Sequence, residues 1–182
     1  MTKVMTENML RDELIQAHLN MRTHLYRVID GLTQETLLKQ ISDEKQFPHI
    51  LSLIWHIGGA ETYWFHRVKH DIGPKFSVET VDDIQPRLKA NTEGIIRVVR
   101  VCDGAQIRIV PPTVEGGPSV AWCILRTYQH GLYHSAQISK IRHMIEGIPP
   151  LSSQEDTWSR AVDSVIDIVR KLYDERLDPT SK

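Results

Sequence analysis

Arg126-Thr-Tyr-Gln-His-Gly-Leu-Tyr-His-Ser-Ala-Gln-Ile138 lies within a longer stretch, Ser119 to Glu146, that contains no proline and only one glycine. Gly116-Gly-Pro118 breaks the chain before it, and Gly147, Pro149 and Pro150 stop it, so the stretch reads as one long helix. Within it, His130 and His134 are spaced i, i+4, which puts two imidazoles on one face with their Cβ atoms about 5–6 Å apart. That spacing lets both bind one metal ion. The same face carries Thr127, Gln137, Ile138, Ile141 and Ile145, so it points at least partly inward.

The helical period continues on either side. Thr6 to Asp30 carries Leu10, Leu14, Ala17, Met21, Leu25 and Val28 at spacings of three and four and stops at Gly31. After the break at Gln46 to Pro48, a second helix is expected from about His49 to His70, closed by Asp71-Ile-Gly-Pro74. Thr80 with Asp83 resembles a capping box for a third helix that ends near Gly104, with Pro86 in its first two turns. Gln106-Ile-Arg-Ile-Val110 alternates polar and apolar residues and reads as an extended connection or short strand. Ser152-Ser-Gln-Glu155 is a capping box for a last helix ending near Leu177, with Val162, Val165, Ile166, Val169 and Leu172 as its apolar stripe. Five helices on one core predict an all-α bundle, with residues 1–182 as a single domain and no internal repeat.

A third histidine, His56, falls on the second helix in the stripe Leu53, His56, Ala60, Trp64, which also faces the core. Burying three imidazoles without partners is costly, and a shared metal satisfies all three. His56, His130 and His134 together would leave a coordination position open, the arrangement of a metal that does chemistry. His66 and His70 are also spaced i, i+4, but Arg67, Lys69 and Asp71 mark a solvated helix end, so that pair reads as surface. His18, His24, His49 and His143 have no partner at ligand spacing. Neither HExxH nor GxSxG is present, which removes support for a metalloprotease or a serine hydrolase.

The 182 residues are 41% hydrophobic and 25% charged, near the globular average. A net charge of −1 and a pI near 6.8 leave no electrostatic footprint for nucleic acid, and no apolar run reaches the length of a membrane span. Met1 to Leu10 lacks the apolar run of a secretory signal, and Cys102 and Cys123 sit among apolar neighbours without metal or CxxC spacing. Reduced, buried cysteines and a cytoplasmic location are expected.

These residues also carry a resemblance. Arg11-Asp-Glu-Leu14 with Asp30-Gly-Leu-Thr-Gln-Glu-Thr-Leu37, His56-Ile-Gly-Gly-Ala-Glu-Thr-Tyr-Trp64, and Ser119-Val-Ala-Trp-Cys-Ile-Leu125 leading into His130-Gly-Leu-Tyr-His-Ser-Ala-Gln-Ile138 resemble the DinB-like superfamily. That group includes thiol-dependent S-transferases and a thiol-dependent maleylpyruvate isomerase domain. The chain departs from the family pattern at Gly131 and at Ser135-Ala136. The resemblance implies an up-down four-helix bundle with an additional C-terminal helix, a homodimer, and a divalent metal, zinc or nickel, on His56, His130 and His134.

A metal on three neutral imidazoles keeps its positive charge and lowers the pKa of a bound thiol or water. The expected activity is therefore that of a metal-dependent thiol transferase, with a hydrolase as the alternative. The expected partners are a small-molecule substrate and a low-molecular-weight thiol, in a cleft lined by residues such as Trp55, Trp64 and Tyr128. A non-enzymatic, metal- or ligand-binding dimeric bundle is the reading of another class. Glu61, Tyr133 and Gln137 lie where they would orient ligands or substrate. For Glu61 an ion pair with a base, and for Tyr133 plain packing or solvent exposure, are the stronger expectations.

Overall fold

Capping side chains set the helix boundaries in the computed structural model, which describes residues 6–41, 47–147 and 157–177, with side chains as far as residue 168. Thr6 accepts a hydrogen bond from Met9 N and opens α1 (Glu7–Ile29), which ends at Asp30 before Gly31 turns the chain at a φ of 70°. Thr33 caps α2 (Gln34–Leu38), a five-residue helix too short to show a periodic face in sequence. His49 is the cap of α3 (Ile50–Arg67), where its Nδ1 accepts from Ser52 N at 3.1 Å. Asp83 Oδ2 accepts from the backbone N (3.0 Å) and hydroxyl (2.7 Å) of Thr80 at the start of α4 (Val81–Val101), the arrangement that the Thr80 and Asp83 spacing predicts.

Of the extended connection or short strand expected at Gln106 to Val110, no strand forms, and the extended connection begins only at Arg108. Asp103 caps a single turn instead, α5 (Gly104–Ile107), by accepting from Gln106 N, and this local bond outweighs the alternation of side chains. Ser119 opens α6 (Val120–Glu146) by accepting from Trp122 N, and Gly147 closes it in the left-handed conformation. The last helix is α7 (Thr157–Leu177); the capping box expected at Ser152 to Glu155 lies outside the described residues. Among the described residues every element is a helix, and no helix is long and apolar enough to cross a membrane.

Four of the five long helices, α1, α3, α4 and α6, build two apolar layers. One contains Leu14 and Met21 of α1, Phe65 of α3, Ile95 and Val99 of α4, and Ile124 of α6. The other contains Leu25 and Ile29 of α1, Ile50 and Ile54 of α3, Ile84 and Leu88 of α4, and Ile138 of α6. The order in which each helix visits the layers fixes its direction. α1 and α6 run from the first layer to the second, and both α3 and α4 run from the second to the first.

The expected up-down order is thereby corrected to up-down-down-up. Its cause is the segment between α3 and α4, which returns along the bundle with Ile72 in the first layer and Phe76 and Val78 in the second. Consistent with parallel α1 and α6, Arg142 Nη1 of α6 donates to Val28 O and Asp30 O (2.6 and 2.8 Å) at the end of α1.

Between the two layers lies a belt of buried polar residues: Arg22, Glu61, Asn91, Thr92, His134 and Ser135. Arg22 Nη2 pairs with Glu61 Oε1 at 2.5 Å, Arg22 Nε donates to Thr92 Oγ1 at 2.9 Å, and Asn91 Nδ2 donates to Glu61 Oε2 at 3.0 Å. These bonds tie α1, α3 and α4 together at one height.

α7 packs on this bundle against α1, antiparallel to it: Thr157 Oγ1 meets His24 Nδ1 at 2.9 Å, and Ser164 Oγ accepts from Asn20 Nδ2 at 2.6 Å. Its buried face is Thr157, Ala161 and Ile168. The expected stripe is therefore shifted. Ile166 is 55% exposed, Val162 and Val165 are half-buried, and the side chains of Val169 and Leu172 lie outside those described.

Candidate metal centre

α6 meets α3 at the polar belt, and there His130 and His134 come against His56. Gly131, directly after His130 at the position where the chain departs from the DinB-like pattern, packs against α1: a Cβ there would stand 2.5 Å from Met21 Sδ, near the end of a flexible side chain that would have to shift. Ser135, the second departure, is buried and donates to Gly131 O at 2.7 Å within the helix.

The three Nε2 atoms converge. His130 Nε2 is 2.9 Å from His56 Nε2 and 3.1 Å from His134 Nε2, and the three ligand atoms lie within 4.8 Å of one another. His134 Nδ1 is 2.6 Å from Gln137 Oε1, whose amide nitrogen is turned to Tyr133 Oη at 3.4 Å. With the Gln137 oxygen as acceptor, His134 carries its proton on Nδ1 and presents a bare lone pair at Nε2.

Hydrogen bonding alone does not satisfy this geometry. A neutral imidazole has one N–H, and a single proton on His130 Nε2 cannot lie on the line to both neighbouring nitrogens. If His56 donates to His130 instead, His130 faces His134 lone pair to lone pair. A cation among three lone pairs removes the conflict, and two nitrogens bound tetrahedrally at about 2.0–2.1 Å stand about 3.3 Å apart, close to the separations found.

Electrostatics keep the three rings neutral, as ligands must be. Burial, then His134, His56 and Arg126, push His130 down to about 4. Burial also lowers His56, and burial with His56 and Arg126 lowers His134 against the opposing bond to Gln137. The ring of Phe47 covers the cluster, 4.9 Å from the His56 ring and 5.5 Å from the His134 ring. No pattern in the sequence singles out Phe47, because it lies in the irregular stretch before α3.

Two clefts open on the cluster, and His130 lines both. One of about 590 Å³ is lined by His56 and His130 with Trp55 and Trp64, and one of about 850 Å³ by His130 and His134 with Tyr128 and Trp158. The aromatic residues expected in a single cleft are therefore divided between two. Glu61 does not reach the imidazoles as a hydrogen-bond partner; it is paired with Arg22. Tyr133 is 61% exposed, with its ring centroid 5.1 Å from that of His134.

The chain matches no protein-family model, no curated protein and no solved structure. Its chemistry has to be read from the site itself.

The remaining histidines stand apart. α3 ends at Arg67 and Lys69 turns at a φ of 60°, so His66 and His70 do not share a helix face. His49 is a helix cap, His24 bonds Thr157, and His143 is exposed. Among the described residues, His56, His130 and His134 form the one group of three or more ligand-type side chains placed to hold an ion. Both cysteines are buried: Cys123 is pushed up to about 12 by burial, and burial also raises Cys102.

Proposed function

We propose that this protein is a metal-dependent enzyme of the DinB-like type, in which His56, His130 and His134 hold a divalent ion, zinc or nickel, and act on a small-molecule substrate. The observation that carries the reading is the convergence of three Nε2 atoms that protons on three neutral rings do not satisfy with linear hydrogen bonds. The up-down-down-up bundle supplies the rigid frame, with ligands from two different helices. A divalent ion held there supplies a Lewis acid that lowers the pKa of a thiol or water and stabilises the anion.

The chain's own residues do the rest. Gln137 fixes the His134 tautomer, Phe47 shields one side of the imidazoles from water, and the two clefts give separate approaches to them. Cys102 and Cys123, buried and with raised pKa values, are poor nucleophiles. A thiol that reacts here is therefore a separate small molecule, and the second cleft gives it room; this favours thiol transfer over hydrolysis.

Elemental analysis of protein purified without an affinity tag tests the assignment. About one zinc or nickel per chain is expected. No bound metal after incubation with either ion overturns it.

A further inference from the structure

Among the described residues the smaller cleft is charged in one direction only: Lys75 and Arg126 stand in its wall, together with His66 and the two imidazoles, and no described aspartate or glutamate lines it. Arg126 also lines the larger cleft, which among the described residues has no acidic wall residue either. Among the described residues neither cation enters an ion pair: Arg126 Nη1 donates to the neutral amide oxygen of Gln129 at 3.1 Å, and Lys75 is exposed.

Packing places both charges. Phe76 is buried with its ring against the bare backbone of Gly58, where a Cβ would collide with it, and this close approach holds the adjoining Lys75 at the cleft rim. Arg126 is four residues before His130 on α6, so its guanidinium stands on the face that carries the imidazoles. Opposite them are aromatic surfaces. Trp55 is 44% exposed, Trp64 stacks edge-on with Trp122 at 5.0 Å, and Arg67 lies over the rings of Tyr63 and Trp64.

An apolar wall facing unpaired cations concentrates anions and repels cations. A carboxylate, sulfonate or phosphate between Lys75 and Arg126 gains charge-assisted hydrogen bonds that a neutral ligand does not. We infer that the cleft beside His56 and His130 binds a small organic anion, its flat apolar body on Trp55 and Trp64 and its anionic group between Lys75 and Arg126. As the class of substrate, this rests on the metal-site reading above; as a binding property, it does not need the metal.

The test compares two fluorescent probes on chelator-treated protein: the anion 8-anilinonaphthalene-1-sulfonate and the neutral N-phenyl-1-naphthylamine. Arg126→Met and Lys75→Met are each expected to weaken the sulfonate about tenfold, the size of one charge-assisted contact, and to leave the neutral amine unchanged. Arg126→Lys keeps most of the affinity, Trp55→Ala weakens both probes, and Arg87→Met on the exposed face of α4 changes neither. Added salt weakens the sulfonate alone.

The inference is overturned if the sulfonate does not bind, if Arg126→Met and Lys75→Met leave it unchanged, or if they weaken the neutral amine equally. Far-ultraviolet circular dichroism of each variant confirms that the helices are intact. Zinc uptake, measured on the same preparations, separates the two readings. Bound zinc with charge-independent probe binding overturns the anion cleft alone. Charge-dependent binding without zinc uptake overturns the metal site alone.

Discussion

Gln137 accepts a hydrogen bond from Nδ1 of His134 at 2.6 Å, one helical turn along α6, and this contact decides which nitrogen of His134 faces His130 and His56. Removing such a partner frees the ring to rotate and to change tautomer, and typically lowers metal affinity ten- to a hundredfold. Gln137→Leu is expected to weaken zinc binding by about that factor while the helical signal stays unchanged. Competition against a chromogenic chelator measures it, and an unchanged affinity would show that the bond does not orient the ligand.

The ligand set predicts a sharp contrast among histidine variants. His56→Ala, His130→Ala and His134→Ala should each abolish stoichiometric metal. His66→Ala and His70→Ala should retain it, because the turn at Lys69 separates those two side chains. Metal per chain by elemental analysis gives the answer directly, and the reverse pattern would sink the assignment. Loading should also weaken as the medium is acidified, because protons compete for the same lone pairs. His130 is already held down to about 4, so loss should come on the acid side of the ordinary histidine range.

Much of this centre was legible in the sequence, because an i, i+4 pair and an inward-facing histidine on a second helix are local patterns. Although α3 stops at Arg67, short of the expected His70, the boundaries of α1, α4 and α6 were legible for a similar reason: Thr6, Thr80, Ser119 and Gly147 act within one turn of themselves. The direction of α4 was not, since it depends on Ile72, Phe76 and Val78 choosing between two apolar layers that local periodicity does not distinguish. Phe47 reaches the site only through tertiary packing, whereas Arg126, one turn before His130 on α6, shares the imidazole face by local spacing. Glu61 followed the stronger expectation, an ion pair with a base, and that base is Arg22 on α1; which base it would meet depends on tertiary packing and has no local signal.

That ion pair carries its own prediction. Arg22 and Glu61 side chains are 3% and 1% exposed, so removing one partner leaves a charge without compensation in the core. Glu61→Leu is expected to destabilise the fold by about 3–5 kcal/mol, read from urea midpoints. The double variant Arg22→Met with Glu61→Leu should recover much of the loss, because two apolar residues of similar volume replace the pair. A double variant as unstable as the sum of its singles would mean that the pair contributes no coupling.

His18 makes the fold sensitive to acid. It is fully buried on α1 beside Arg22 and Glu61, and among the described residues neither of its ring nitrogens has a hydrogen-bond partner. Burial, then the Arg22 charge, push it down to about 4 against the opposing pull of Glu61. The unfolded chain takes up a proton at His18 near its ordinary value of 6.5, whereas the folded chain resists until about 4. Between those values the unfolded state binds more protons, so stability falls as pH drops from 6.5 toward 4. The contribution is fully present above 6.5 and amounts to about 3 kcal/mol across the window. Urea unfolding of metal-free protein between pH 7 and 4 measures the slope, and His18→Gln, which does not titrate, isolates it from the similar pull of His130. Parallel slopes for wild type and His18→Gln would place the acid sensitivity elsewhere, whereas a flatter slope in the variant assigns it to this buried ring.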